Sequence, residues 1–255
     1  MDVLPMAAPN HHTEDSLTSE FILPDSAKLE ALAEFAAGAG HEINNPLATI
    51  IGRAQLLLKD ERDPQRRQML LAIGAQAYRI RDMIGDAMLF GRPPVPELQD
   101  VTLADAIKAV ILQQADELTN ASCLVSVEVS GVLVLKADPA QLAIVLTELL
   151  RNSRQALDSV GGGEIRFRAS SLDESALIEI EDHGQGFTAS ERQHAFDPFF
   201  SGRQAGRGLG FGLSKCWRIV EQHGGRIKIE SASEEQTVTR VTWPLAMNKG
   251  LSSQS

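Results

Sequence analysis

Two runs of apolar side chains at helical spacing constrain this chain more than anything else in it, because together they make more apolar surface than one hairpin can hide. Leu29, Ala36, Ile43, Ile50 and Leu57 recur every seven residues, and Ala33, Gly40, Leu47 and Ala54 stand four positions after the first four of them. Such a stripe belongs to a long amphipathic helix, here beginning at Lys28. The run Lys59-Asp60-Glu61-Arg62-Asp63-Pro64 interrupts it, with Pro64 placed to open the next helix. Leu70, Ile73, Ala77, Ile80, Ile84 and Ala87 then form a second stripe at spacings of three and four. Two helices joined by a short turn make an antiparallel hairpin over residues 28–92. A second copy is needed to cover it, so a homodimeric four-helix bundle is expected.

The rest of the chain reads differently. Residues 1–27 mix Pro, Ser, Thr, Asn and acids without a sustained period, as a disordered lead-in does. The pair His11-His12 has no third ligand nearby and reads as solvated. Pro93, Pro94 and Pro96 mark residues 93–100 as a linker. Over 101–247 helices and strands alternate. A helix is expected over 103–118, then strands over 123–129 and 132–136. Asp138 as N-cap and Pro139 at the first helical position open a helix that runs to about Asp158. Strands over 164–170 and 176–182 form a hairpin, a helix follows near 210–223, and strands over 226–231 and 237–243 close the domain, leaving 248–255 as a tail. Strands paired mostly by hairpins with helices on one face make an α+β two-layer sandwich.

Charge narrows the partners. Among 255 residues, 34 acids against 24 basic side chains give a formal net charge of −10, which argues against nucleic acid or an anionic membrane as the main partner. No basic-then-apolar leader opens the sequence, and no uncharged run approaches the roughly 20 residues needed to span a bilayer. A soluble, cytoplasmic protein is expected. Cys123 and Cys216 lack metal-ligand spacing and read as reduced and buried.

Four segments carry residues suited to chemistry. In Gly-His-Glu-Ile-Asn-Asn-Pro-Leu (40–47), His41 falls five positions after Ala36, opposite the stripe, where an imidazole faces solvent and is nucleophilic when neutral. Glu42 can accept a hydrogen bond from one ring nitrogen and so fix the tautomer, and Asn45 lies one turn along the same face. Pro46 in mid-helix costs about 3 kcal/mol in principle and favours a kink. In the helix opened by Asp138, Leu142, Val145, Leu149 and Ala156 form a buried stripe, while Glu148, Asn152 and Gln155 project from a neighbouring face. An asparagine oxygen suits Mg²⁺ already shared with phosphates. The third segment is Asp182-His183-Gly184-Gln185-Gly186 at a strand end. Its carboxylate can accept from an exocyclic amine such as adenine's, and Gly184 and Gly186 permit close approach of the backbone. In the fourth, Gly206, Gly208 and Gly210 alternate just before a helix, and their N–H groups with the helix N-terminus can hold phosphates, helped by the cations Arg203 and Arg207. The spacing is neither that of a P-loop nor that of a dinucleotide fold.

In this order the segments resemble a soluble sensor histidine kinase of two-component signalling, with a phospho-acceptor hairpin and an ATPase domain of the type shared with gyrase and heat-shock chaperones. The resemblance implies that His41 is phosphorylated, with Glu42 and Asn45 as its catalytic neighbours. It further implies that ATP and Mg²⁺ are bound, with Glu148, Asn152 (the metal ligand) and Gln155 in the asparagine box, Asp182, Gly184 and Gly186 in the first glycine box, and Arg203, Gly206, Gly208, Leu209 and Gly210 in the lid and second glycine box. Phe196-Asp197-Pro198-Phe199-Phe200 matches that family's phenylalanine box. Gln155 and Ala156 stand where a basic residue often follows the box asparagine, Arg207 where a small hydroxyl residue is usual, and Arg203 where a lysine often stands. Implied partners are a second copy of the chain, a response-regulator receiver domain and an upstream sensor protein. Glu42 with Asn45 matches the E-x-x-[TN] pattern linked in the family to dephosphorylating the regulator. The competing expectations are a gyrase-like ATPase, with Glu148 activating water, and a pseudokinase scaffold or phosphatase that binds ATP without labelling itself.

Overall fold

Local stop and start signals shape the hairpin. In the computed structural model, which describes residues 26–200, 210–232 and 236–246, helix α1 spans Ser26–Asp60 and runs through Pro46 without interruption. Helix α2 spans Pro64–Gly91, with Pro64 in its first turn and Asp63 as N-cap accepting from the Arg66 N–H at 2.9 Å. Helix α1 thus begins two residues before the expected Lys28, and the rest of the lead-in, with His11 and His12, and the tail lie outside the described residues.

Leu47, Ile51 and Ala77 form the core between the two helices, with Ile43 and Tyr78 packed against them. At Gly40 a Cβ would overlap the Met88 sulfur, so the helices are in close contact one residue before His41. The outer edge of each stripe stays exposed: Ile50 by 43%, Leu57 by 60%, Ile73 by 50% and Ile80 by 42%. The hairpin thus leaves part of both stripes uncovered, as the sequence predicts.

Beyond it the chain builds a five-stranded sheet in the order β2-β4-β5-β7-β6. Strand β2 (Cys123–Val129) runs parallel to β4 (Gly163–Leu172), β4 pairs antiparallel with β5 (Ser175–Asp182), and β7 (Gln236–Pro244) lies antiparallel between β5 and β6 (Arg226–Ala232). Helices α5 (Pro139–Asp158) and α7 (Gly212–Gln222) cover one face, burying Ile165, Phe167, Ile178, Ile180, Val241 and Trp243. The other face carries ion pairs along the rows, Arg240 with Glu179 at 2.7 Å and Arg166 with Glu181 at 3.4 Å among them.

Several elements differ from expectation. Gln99 and Asp100, read as linker, begin strand β1 (Gln99–Thr102), which pairs with β3 (Val134–Ala137) in a separate two-stranded sheet. The helix expected over 103–118 is two, α3 (Leu103–Gln113) and α4 (Ala115–Asn120). They part at Gln114, whose backbone (φ −102°, ψ 11°) leaves the helical region. Helix α6 (Ala189–His194), not expected, opens on a capping box between Thr188 and Glu191.

Asp138 fixes the start of α5 and much around it. Its Oδ1 accepts from the N–H groups of Ala140 and Gln141, at 2.9 and 3.0 Å, and its Oδ2 from Glu97 of the linker at 3.0 Å. Its own N–H donates to His223 Nε2 at 3.1 Å. His223 is held neutral, since burial pushes its pKa down, and its ring packs 4.5 Å from that of Trp243. Gln141 and Gln222 both donate to the Pro94 carbonyl, so the linker is fastened to the sandwich at several points.

Where hairpin meets sandwich, a buried cation joins them. Lys215 Nζ lies 2.6 Å from Asp86 of α2 and 3.0 Å from Glu148 of α5, with its own residue only 5% exposed. Burial pulls the lysine pKa down, but the two carboxylates outweigh this and hold it above the ordinary value. Beside it the fully buried ring of Phe90 packs 6.2 Å from that of Phe211. Cys123 and Cys216 are buried free thiols, the latter pushed up first by burial and then by Glu148, as expected of inert packing cysteines.

Burial raises the Asp138 pKa, but its three backbone donors together outweigh this and hold it below the ordinary value. A depressed folded-state pKa supplies stability that is full above the unfolded value and is lost as pH falls through the folded one. Asp138→Ala is therefore expected to cost about 1–2 kcal/mol at pH 7, with the gap to wild type narrowing below about pH 4, as urea titrations at both pH values will read. Lys215→Met takes the cation from Asp86 and leaves Glu148 only Arg151, and should cost about 3 kcal/mol. Asp86→Ala keeps the Lys215–Glu148 pair and should cost only about 1 kcal/mol; equal losses in the same titrations would show that Glu148 does not need the cation.

Candidate nucleotide site

Helix α5 supplies the floor of the site. It is buried on most sides, through Leu142, Val145, Leu146, Leu149, Leu150 and Leu157, so its remaining polar residues sit where the fold puts them. Strand β5 arrives beside it. By the two-residue alternation of a strand, Ile178, Ile180 and Asp182 all point to the helix side, so Asp182 takes a core-facing position and is 3% exposed.

Between α5, the end of β5 and the middle of β6 and β7 opens a small pocket, into which Asn152, Ser153, Asp182 and Thr239 bring polar atoms and Phe187 and Ile229 apolar surface. Its rim is pinned at both ends. Gly184 N–H donates to Asp182 Oδ1 at 3.1 Å, and Gln185 N–H donates to the Ala156 carbonyl at 3.4 Å. A Cβ on Gly184 would overlap Ala156, and Gly186 has φ +67°, so both positions require glycine, as the sequence predicts. Further on, Phe187 N–H donates to Ser231 Oγ at 3.1 Å. A pocket with apolar side chains such as Phe187 and Ile229 on its walls and a carboxylate among its polar groups suits a planar base that carries an amine.

The three α5 candidates do not act as one face. Asn152 lines the cavity, whereas Gln155 is half-exposed and outside its lining. Glu148 is turned the other way, its carboxylate buried and ion-paired with Arg151 and Lys215. Ala156, expected in the buried stripe, is half-buried at the cavity wall, and Leu146, Leu150 and Ser153 share the buried surface instead.

Of the lid residues, Arg203, Gly206, Gly208 and Leu209 lie outside the described residues. Gly210 has φ +70°, and a Cβ there would overlap the backbone of Phe199 and Phe200, so the two ends of the lid meet at this glycine. The glycine alternation continues to Gly212, where a Cβ would come 2.9 Å from Glu148 Oε2. Sequence reasoning stopped one glycine short, although the spacing of two extends to 212. It also passed over Ser153, a hydroxyl at the stripe spacing of α5, and Lys215, whose partners lie far away in the chain. In α1, Glu42 and Asn45 are exposed; the side chain of His41 is outside the described ones.

A metal would have few protein ligands here. Among the described residues no three His, Cys, Asp or Glu side chains cluster, and Asn152 offers one neutral oxygen, which fits a divalent cation held chiefly by phosphates. Nor is any described helix long and apolar enough to cross a membrane.

Comparison with known proteins agrees with the geometry. Residues 137–247 match the histidine kinase-, DNA gyrase B- and HSP90-like ATPase family, and residues 31–94 match the His Kinase A (phospho-acceptor) domain. Sensor histidine kinase ZraS of Klebsiella oxytoca is 33% identical over 207 residues, 80% of this chain and 44% of that protein. Sporulation kinase D of Bacillus subtilis is 28% identical over 224 residues, 87% of this chain and again 44% of the relative. The chain thus spans less than half the length of both. In fold it is similar to full-length ShkA, solved with AMPPNP (TM-score 0.74, 20% identity, 84% of this chain and 46% of that one). The Acinetobacter baumannii histidine kinase AdeS is a second likeness (TM-score 0.58, 17% identity, 82% of this chain and 98% of that one). With both domains in this order and these relatives, the chain belongs to the sensor histidine kinases of two-component signalling.

Proposed function

We propose that this chain phosphorylates itself on His41 from ATP and passes the phosphoryl group to an aspartate of a response-regulator receiver domain. The observation that carries this reading is the cavity with Asp182 at its end and Asn152 at its side, in a domain packed by Lys215 and Phe211 onto the hairpin that bears His41. ShkA, similar in fold, was solved in complex with AMPPNP, which supports a nucleotide as the ligand.

On this reading Asp182 accepts from the adenine amine, and the apolar walls Phe187 and Ile229 take the ring faces. Asn152 is the residue that would hold Mg²⁺, which when bound neutralises phosphate charge. A neutral ring nitrogen of His41 attacks the γ-phosphorus as the bond to the β-phosphate oxygen breaks and ADP leaves. The other ring nitrogen's proton turns toward Glu42, which orients the imidazole. Catalysis rests on positioning and electrostatics. The uncovered Ile50, Leu57, Ile73 and Ile80 supply the apolar face of a homodimer. Glu42 and Asn45, both exposed, are also suited to the opposing activity, in which water hydrolyses the regulator's aspartyl phosphate to inorganic phosphate.

Nucleotide titration and γ-label incorporation test the site. Asp182→Asn should weaken ATP binding at least tenfold. Asn152→Ala should lower Mg²⁺-dependent incorporation about 100-fold while leaving metal-free ATP binding near wild type. Unchanged incorporation in Asn152→Ala would remove the asparagine from the site, and ATP binding without label in the wild type would favour a scaffold or phosphatase.

A further inference from the structure

Ser153 is a hydroxyl buried in the apolar surface of α5, at 5% exposure, and its Oγ donates to Asp182 Oδ2 at 2.7 Å. Gly184 N–H donates to the other oxygen, Oδ1, at 3.1 Å. Both fixed partners are donors, so the carboxylate meets a ligand only as an acceptor, and its plane is set from two sides. A buried carboxylate that loses the Ser153 donor is held less firmly in one orientation. The sheet makes this pairing possible, because Asp182 continues the core-facing row of Ile178 and Ile180 and meets α5 at Ser153.

We infer that Ser153 is the positioning residue that gives the site its selectivity for an aminopurine, by holding Asp182 in the one orientation that reads the exocyclic amine. The inference rests on the adenine reading of the cavity and adds to it a residue that acts through Asp182. It separates two properties of the pocket: holding a purine, which the apolar walls do, and choosing a purine with an amine, which depends on Ser153.

Two nucleotides measured on the full chain test it: ATP, and purine riboside triphosphate, which lacks only the amine. The wild type should prefer ATP by roughly 10- to 100-fold, the range of one hydrogen bond to a charged group. In Ser153→Ala, ATP affinity should fall about tenfold while affinity for the analogue stays unchanged, so that the preference shrinks by the same factor. Equal weakening of both nucleotides, or no change in either, overturns the inference, since a merely structural serine would produce one of these. Ser153→Cys fills the same space with a weak donor and carries the test if the alanine variant does not fold: an intermediate preference is expected, and a full wild-type preference overturns the inference. A wild type with no preference overturns the adenine reading itself, and this inference with it.

Discussion

The burial of α5 is the constraint on which the remaining structure depends. Its leucine and valine side chains fill the space under the sheet, and a buried helix can be neither rotated nor shifted without opening cavities that cost several kcal/mol. Every polar group on it is thereby fixed. Asn152 and Ser153 face the end of β5, Glu148 faces α7, and the N-terminus is held by Asp138. The same carboxylate takes hold of the linker through Glu97. One helix therefore positions the nucleotide cavity, the junction to the hairpin and the entry of the linker.

Electrostatics in this acidic chain is arranged locally. Lys215 is a buried cation between two carboxylates from different parts of the chain, and Glu148 has Arg151 as a second partner. Buried pairs of this sort add little net stability but are costly to break, so they define which arrangement is adopted more than how stable it is. Glu148, one turn before Asn152, links the contact with the hairpin to the helix that carries the cavity. Asp182 and Ser153 follow the same logic inside the site, where a buried carboxylate is accepted because donors surround it.

Much of this was legible in the sequence, for physical reasons. Both hairpin helices follow from apolar periodicity, and their junction from Asp63 and Pro64, because caps and prolines act within one turn. Asp138 with Pro139 marks α5 in the same way, and Asp182, Gly184 and Gly186 announce a strand end with a close-approach turn. What escaped depends on distant partners or on short elements. Strand β1 is four residues long and exists only because β3 pairs with it. The parallel pairing of β2 with β4 spans the whole of α5. Helix α6 is six residues, and its capping box of Thr188 and Glu191 was a readable signal left unread. Lys215 finds Asp86 across 129 positions, a pairing no local pattern encodes.

On the proposed reading, the nucleotide domain delivers a phosphoryl group to one histidine of the hairpin. The most direct test is to incubate the chain with Mg²⁺ and γ-labelled ATP, determine the acid and alkali stability of the label, and map it by mass spectrometry beside His41→Gln. The account predicts an acid-labile, alkali-stable phosphate on His41 in the wild type and none in the variant. Label that survives in His41→Gln, or that maps to another residue, would contradict it.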